Sequence, residues 1–423
     1  MENTGRFRWT LIAWLFVLSA VAYLDRVNIS IAGKMIAAEY GFTNQQLGWV
    51  FSAFVLGYAL FQAPSGRVAD RFGARRALTL AAAWWAVFSA LSALLPTFAG
   101  ILPMLILVRF ALGAGESIVY PAANRIVSKW IPVPERGLAN GLIFMGVGVG
   151  AGITPPLITA VMLRYGWRAS FIVCGLIGLA AGAVWLIIAR DSPDEHPLVS
   201  DHERVLIRAG IPAGGSAPPL PWRLIGANRN VQLLTLSYFC YGYSAYIFFT
   251  WFFIYLSTVR GLDLKVSALY AMLPFLAMAV GSGLGGFISD RLSTRYGRRV
   301  GRCGLAVVGI GLAAVFIAAG TQVESARLAT VILAGGAGSL YLAQSSFWSV
   351  SADIAGSSAG AVSGVMNMGA QLGGVVTASL TPWVADRFGW TGSFLVAAGL
   401  CVVGAAAWVA VRPEETVARS AAQ

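Results

Sequence analysis

The sequence predicts an all-α membrane protein. Twelve transmembrane helices form two pseudo-symmetric bundles of six, with both termini on the cytoplasmic side. Three observations predict it. The 423-residue chain is 57% hydrophobic and 11% charged, with a mean hydropathy of +0.72, where a soluble domain carries roughly 25% charged residues. Twelve apolar windows reach the ~20 residues a helix needs to cross the hydrocarbon core. Three motifs recur at nearly one spacing in the two halves of the chain.

The windows are 9–31, 46–66, 77–95, 101–123, 138–162, 169–189, 231–256, 266–289, 303–320, 328–350, 358–384 and 391–411. Their length and unbroken apolar character exclude the alternating strands of a membrane barrel. The first run, WTLIAWLFVLSAVAYL, continues past Asp25 and Arg26 with no small-residue cleavage site, so it reads as a span and not a leader. The 49 glycines suit close helix approach in lipid. GVGVGAGITPP in span 5 and GSGLGG in span 8 read as packing of that kind. Between spans 6 and 7 the segment 190–230 carries RDSPDEHP, DHERVLIRA and GIPAGGSAPPLP, the composition of a charged linker. The expected units are residues 1–189, a linker over 190–230, and residues 231–423.

The halves repeat one another. GRVADRFGARR (66–76) follows span 2 and GFISDRLSTRYGRR (286–299) follows span 8. RYGWRASF (164–171) precedes span 6 and RFGWTGSF (387–394) precedes span 12. GLIFMG (141–146) in span 5 matches GVMNMG (364–369) in span 11. Near-constant offsets imply a duplication in which both copies enter the membrane from the same side. With the N-terminus in the cytoplasm, 21 of the 30 Lys and Arg fall in cytoplasmic segments and seven in outer loops. That bias sets the orientation, and it explains the net charge of +12 without a nucleic-acid partner. Cys174, Cys240, Cys303 and Cys401 lie in apolar segments without metal-type spacing, and His196 and His202 sit in the linker. No metal, no cofactor beyond a coupling proton, and no enzymatic nucleophile–base pair is expected.

Two acids and two bases remain deep inside spans: Asp25, Arg26, Arg109 and Glu116. A charge at mid-bilayer costs at least ~2.5–3.5 kcal/mol, so such groups are functional candidates, although internal ion pairs that fix packing are the alternative. Arg109, Gly113, Glu116 and Tyr120 form one stripe of span 4 at helical spacing. Tyr58, Gln62 and Ser65 do so in span 2, and Tyr23, Arg26 and Ser30 in span 1. In the second half Tyr341, Ser345 and Trp348 share a face of span 10, and Asn367, Gln371 and Gly374 share one of span 11. Span 7 carries Tyr238, Tyr241, Tyr243 and Tyr246. Charge is thus concentrated in the first half, and hydroxyls and rings in the second. That division suits a polyhydroxylated acid, which needs several hydrogen bonds and an aromatic wall. The four charges sum to zero. Protonating one acid leaves a surplus positive charge that an incoming carboxylate can neutralise through an arginine's paired donors.

The Gly-x-x-x-Asp-Arg-x-Gly-x-Arg-Arg motif and the six-plus-six repeat resemble the major facilitator superfamily over the whole chain. The second copy carries extra residues before Gly297. YLDRVNIS (23–30), RFALGAGESIVYPAANRIVSKWIPVPERG (109–137) and FFTWFFIYL (248–256) resemble the anion:cation symporter family within it. That resemblance implies a proton-coupled symporter of a small organic anion such as an aldonate, aldarate or hexuronate. It implies a monomer in a bacterial cytoplasmic membrane. It assigns protonation to Asp25 and Glu116 and the anion to Arg26 and Arg109, without deciding which arginine holds it. Tyr23, Tyr58, Gln62, Tyr241, Ser345, Trp348, Asn367 and Gln371 are the expected substrate contacts. Gly66, Asp70, Arg71, Arg75, Gly286, Asp290 and Arg291 are expected to latch the cytoplasmic face. An organic-anion exchanger or exporter is the alternative, and a non-transporting receptor a remoter one.

Overall fold

A computed structural model describes residues 6–98, 100–132, 135–210, 221–355 and 359–417. The side chains of Gly66 and Asp70, two of the expected latch residues, lie outside the described part. The described residues are helical throughout, with no strand among them. The first part holds α1 (Phe7–Tyr40), α2 (Asn44–Phe72), α3 (Ala74–Leu94), α4 (Ile101–Glu116), α5 (Val119–Trp130), α6 (Arg136–Tyr165) and α7 (Trp167–Ile188). Two short helices follow, α8 (Asp201–Gly210) and α9 (Trp222–Ala227). The second part holds α10 (Arg229–Thr250), α11 (Phe252–Ile254), α12 (Leu264–Tyr296), α13 (Leu305–Gln322), α14 (Ala326–Leu342), α15 (Gln344–Ala355) and α16 (Ala359–Ala410).

Among the described residues nine helices are long and apolar enough to cross a membrane, and ten if the pair Arg229–Thr250 and Phe252–Val259, bent by 48°, is one span. At 1.5 Å per residue the 52 residues of α16 reach about 78 Å, more than twice the hydrocarbon thickness. Its backbone leaves helical geometry at Gly389. Spans 4 and 10 tighten for a single turn at Ser117 and Ile118 and at Ala343 while the backbone stays right-handed helical, so each runs on as one span, Ile101–Trp130 and Ala326–Ala355. Tyr120 therefore follows Arg109, Gly113 and Glu116 along the same span.

The repeat seen in the sequence extends to the backbone. Gly73 and Gly297 have φ of 81° and 85°, and Gly166 and Gly389 have 80° and 75°. Each sits at its matched motif position, in the left-handed region that residues with a Cβ avoid. A methyl group at Gly146 or Gly150 would fall 2.4 or 2.2 Å from the carbonyl oxygens of Phe16 and Ala20 on α1. At the matching Gly369 and Gly373 it would fall 2.7 and 2.2 Å from those of Thr235 and Phe239 on α10. The same close helix approach is built twice. In the first part α1 packs on α6 and α7, α2 on α4, and α3 on α7. In the second α10 packs on α16, and α12 and α13 on α14. Two seams join the parts, α6 with α12 and α2 with α16.

The segment after α7 is docked, not loose. Glu203 of α8 is 1% exposed and accepts from the Phe7 and Arg8 backbone N–H groups and from Arg8 Nη1, all at 3.1 Å. It thereby satisfies donors that the first turn of α1 leaves without partners. Arg8 also donates to Glu135 at 3.0 Å. The His196 ring packs 4.0 Å from that of Phe7, and burial holds its imidazole below the usual range.

At the opposite end, where α2 begins, the two parts are sealed. Ser52 Oγ lies 2.7 Å from Ser379 Oγ, and Gln45 donates to the Ser379 carbonyl at 3.1 Å. Within the second part, Trp251 Nε1 donates to the Ala378 carbonyl at 3.0 Å. A methyl on Gly48 would lie 2.5 Å from that same carbonyl oxygen, so closure depends on the missing side chain. Gly48→Leu is expected to hold this end apart. A cysteine introduced at Ser379 should then react several-fold faster with a water-soluble maleimide than in the Gly48 background. Equal rates would show that the seam does not set closure.

Candidate functional site

The site lies where α1, α2 and α4 meet α10 and α16. Arg26 is 6% exposed and Glu116 1%, and Arg26 Nη2 donates to Glu116 Oε2 at 3.0 Å. Arg26 Nη1 reaches Tyr23 Oη at 3.2 Å and Tyr246 Oη at 3.3 Å. Tyr246 in turn donates to Gln371 Oε1 at 2.7 Å. One hydrogen-bonded chain thus runs from α4 through α1 and α10 to α16 and crosses between the two parts of the molecule.

Arg109 is used differently. It is 1% exposed, and its Nε and Nη1 have no hydrogen-bond partner. Its guanidinium lies 4.9 Å from the centre of the Phe54 ring, and that of Arg26 lies 5.1 Å from the same ring. Arg26 also lies over Tyr23 and Tyr58, at 4.5 and 4.6 Å. Rings so placed stabilise cations that have lost their water. Asp25, 3% exposed, accepts from Ser89 Oγ of α3 at 2.6 Å, and its Oδ2 has no partner. Asp25 and Arg109 feel each other's charge, with no direct ion pair between them among the described residues. Among the described residues only Arg26 and Glu116 of the four charges form a direct ion pair between helices; Asp25 takes its hydrogen bond from α3, so the sequence neighbours Asp25 and Arg26 serve different partners.

Both arginines line a cavity of about 10 Å³, together with Ser30, Phe54, Tyr246 and Thr250. That is room for about one water. A second cluster lies on α10, α14 and α15. The rings of Tyr238 and Tyr241 stack at 5.1 Å, Tyr241 lies 5.6 Å from Tyr341, and Phe347 packs on both Tyr238 and Tyr241. Ser345 Oγ is buried there without a hydrogen bond. Trp348 lies 5.8 Å from Phe144 of α6, which stacks on Tyr120. The arrangement offers spare cationic donors on one side, and hydroxyls and rings on the other.

The structure brings Tyr23, Asp25, Arg26, Tyr58, Arg109, Glu116 and Gln371 into one group, and Tyr241, Ser345 and Trp348 into the second. Gln62 and Asn367 are half-buried, with no hydrogen bond among the described residues. Sequence reasoning passes over Phe54 and Ser89 and does not single out Tyr246. Phe54, one turn before Tyr58, has no polar group to mark it. Tyr246 is selected no more strongly than the other span-7 tyrosines. Ser89 lies on α3, which carries no charge near it.

The expected latch residues lie at the end bearing α8. The Arg75 backbone N–H donates to Asp191 Oδ1 at 3.1 Å, and its Nε donates to the Leu186 carbonyl at 2.9 Å, tying α3 to the end of α7. Arg71 and Arg291 lie over the rings of Phe72 and Phe287. The Asp290 carbonyl accepts from Thr294 at 2.9 Å, and Gly286 approaches Ser345. Arg302 and Asp353 form an ion pair nearby.

The Major Facilitator Superfamily profile matches residues 15–378 and 292–423. The chain belongs to this superfamily. It is a multi-pass membrane transporter and not an enzyme. A probable sulfoacetate transporter, SauU, of Cupriavidus necator is 36% identical over 99% of this chain and 96% of its own. The hexuronate transporter of Bacillus subtilis is 30% identical over 95% of this chain and 94% of its own. A probable galactarate/D-glucarate transporter, GudP, of Escherichia coli is 29% identical over 97% and 93%. These relatives place the chain among the anion transporters of the superfamily. A solved bacterial homologue of the lysosomal transporter Spinster, in an inward-facing and unoccupied conformation, superposes with a TM-score of 0.76 over 97% of this chain and 98% of its own, at 18% identity. It shows the shared fold.

Removing one member of a buried pair leaves an uncompensated charge, at a cost of about 3–5 kcal/mol. Arg26→Leu is therefore expected to lower the thermal unfolding midpoint of the purified protein markedly. The double variant Arg26→Leu/Glu116→Gln should recover much of the loss. A double variant no more stable than the single one would contradict the pairing.

Proposed function

We propose that the chain is a proton-coupled symporter that imports a small organic anion, of the sugar-acid class, by alternating access. The observation that carries the proposal is the unequal use of the two buried arginines. Arg26 is engaged by Glu116 and two tyrosines, while Arg109 faces the cavity with donors to spare. The four charges of the site sum to zero. A proton on Asp25 or Glu116 unbalances it by one positive charge, and a carboxylate restores balance through the free guanidinium donors. Proton and anion then favour each other's binding, which is the thermodynamic content of symport. The hydroxyl and ring cluster around Tyr241, Ser345 and Trp348 suits the hydroxylated body of the anion. The hexuronate and galactarate/D-glucarate relatives support that class. The relative named for sulfoacetate supports a second reading, in which the anion is a shorter acid bearing a sulfonate.

Twelve spans follow when α16 is divided at Gly389, the bent pair of α10 and α11 counts once, and α2 is added. The units are then residues 1–189 and 231–423 with 190–230 between them, in a bacterial cytoplasmic membrane with both termini inside. Arg71, Arg75, Asp290 and Arg291, with Gly66, Asp70 and Gly286, latch the cytoplasmic face in alternation with the seam at Gly48. The protein works as a monomer and needs no cofactor besides the proton.

The test is uptake into vesicles of purified protein under an imposed pH gradient, with glucuronate, galactarate and sulfoacetate as probes. Accumulation of at least one against its gradient is expected. Asp25→Asn should abolish accumulation while sparing counterflow exchange more. Exchange without accumulation in the wild type would overturn the proton-coupled reading, and wild-type accumulation in Asp25→Asn would overturn Asp25 as the proton carrier.

A further inference from the structure

The hydroxyls of α3 are not used alike. Thr79 and Ser92 donate to carbonyls four residues back on their own helix, those of Arg75 and Phe88, both at 2.9 Å. That is the ordinary resting place of a hydroxyl in an apolar helix. Ser89, fully buried, turns away from its helix and donates to Asp25 Oδ1 at 2.6 Å. The separation is that of an O–H group bonded to a carboxylate. Asp25 does not line the cavity that Arg26 and Arg109 share. The charged or titratable groups that act on it are Arg109 and Glu116 of α4, Arg26 of α1 and Cys174 of α7, and α3 contributes only the hydroxyl.

From this juxtaposition we infer that Ser89 is a positioning residue of the coupling step, holding Asp25 against α3 and away from the anion cavity in both of its protonation states. The inference rests on the reading of Asp25 as a proton carrier. Among side chains a hydroxyl suits this task because it can donate to a carboxylate and accept from a carboxylic acid. When Asp25 gains a proton, Ser89 rotates its O–H back toward its own helix, where Thr79 and Ser92 place theirs, and accepts from the carboxylic acid, so that the hydrogen bond between the two side chains persists through the change of state. Alanine at position 89 would leave Asp25 free to turn toward Arg109. The proton site and the anion's counter-charge would then collapse into one ion pair.

The experiment compares wild type, Ser89→Ala, Ser89→Thr and Asp25→Asn as full-length protein in vesicles, using glucuronate, galactarate and sulfoacetate. Uptake driven by a pH gradient, its dependence on external pH, and counterflow exchange are recorded for each. Ser89→Ala is expected to lose about tenfold in driven uptake, the size of one hydrogen bond to a charged group. It should lose less in exchange and show a displaced pH profile. Ser89→Thr, which keeps the hydroxyl, should restore both the rate and the profile. Ser89→Cys, nearly isosteric with a weaker donor, replaces Ser89→Ala if the latter does not fold, and is read the same way. A wild-type pH profile in Ser89→Ala, or equal loss of both transport modes in Ser89→Ala and Ser89→Thr, would overturn the role of Ser89 while Asp25→Asn still uncouples. If Asp25→Asn accumulates like wild type, the carrier reading fails first and this inference falls with it.

Discussion

Charge neutrality in a dry place is the constraint on which the rest of the structure depends. Four ionisable side chains stand in the middle of a molecule that lipid surrounds, and hydrocarbon cannot solvate them. The fold answers by holding them from neighbouring helices. Arg26 is paired with Glu116 from α4, and Asp25 takes its hydrogen bond from α3. Phe54 lies against both guanidiniums and fills the space that water would otherwise take.

Neutrality also explains why the site sits at a junction. Tyr246 joins Arg26 on one side to Gln371 on the other, so the charge state of the first part is felt by the second through one phenol. The glycines that let α1 approach α6, and α10 approach α16, bring the lining helices close enough for that chain to close. At the Asn44 end, Gly48 allows α2 and α16 to meet over the site. The cavity left between them holds about 10 Å³.

Much of this was legible in the sequence, for physical reasons. Apolar runs longer than 20 residues have few interpretations. A duplicated motif keeps its glycines where φ must be positive, and the structure finds Gly73, Gly297, Gly166 and Gly389 in that region. The buried charges stood out because they are rare in such runs. The choice of partners was not legible, since pairing between helices depends on their rotation and depth. Spacing set Asp25 and Arg26 about 100° apart, but it could not pair Arg26 with Glu116 or bring Ser89 to Asp25. The tightened turns after Glu116 and at Ala343 were hidden as well, because hydropathy is blind to the bonding of a single turn. Phe54 was invisible in a chain that is 12% aromatic.

On the function proposed above, anion and proton bind to one electrically balanced group of charges. The most direct measurement is the number of protons taken up when anion binds to purified protein in weakly buffered solution, read with a pH indicator. Uptake approaching one proton per bound anion is expected, sharply reduced in Asp25→Asn or in Glu116→Gln, whichever acid carries it. Saturable binding with no proton uptake in the wild type would contradict it.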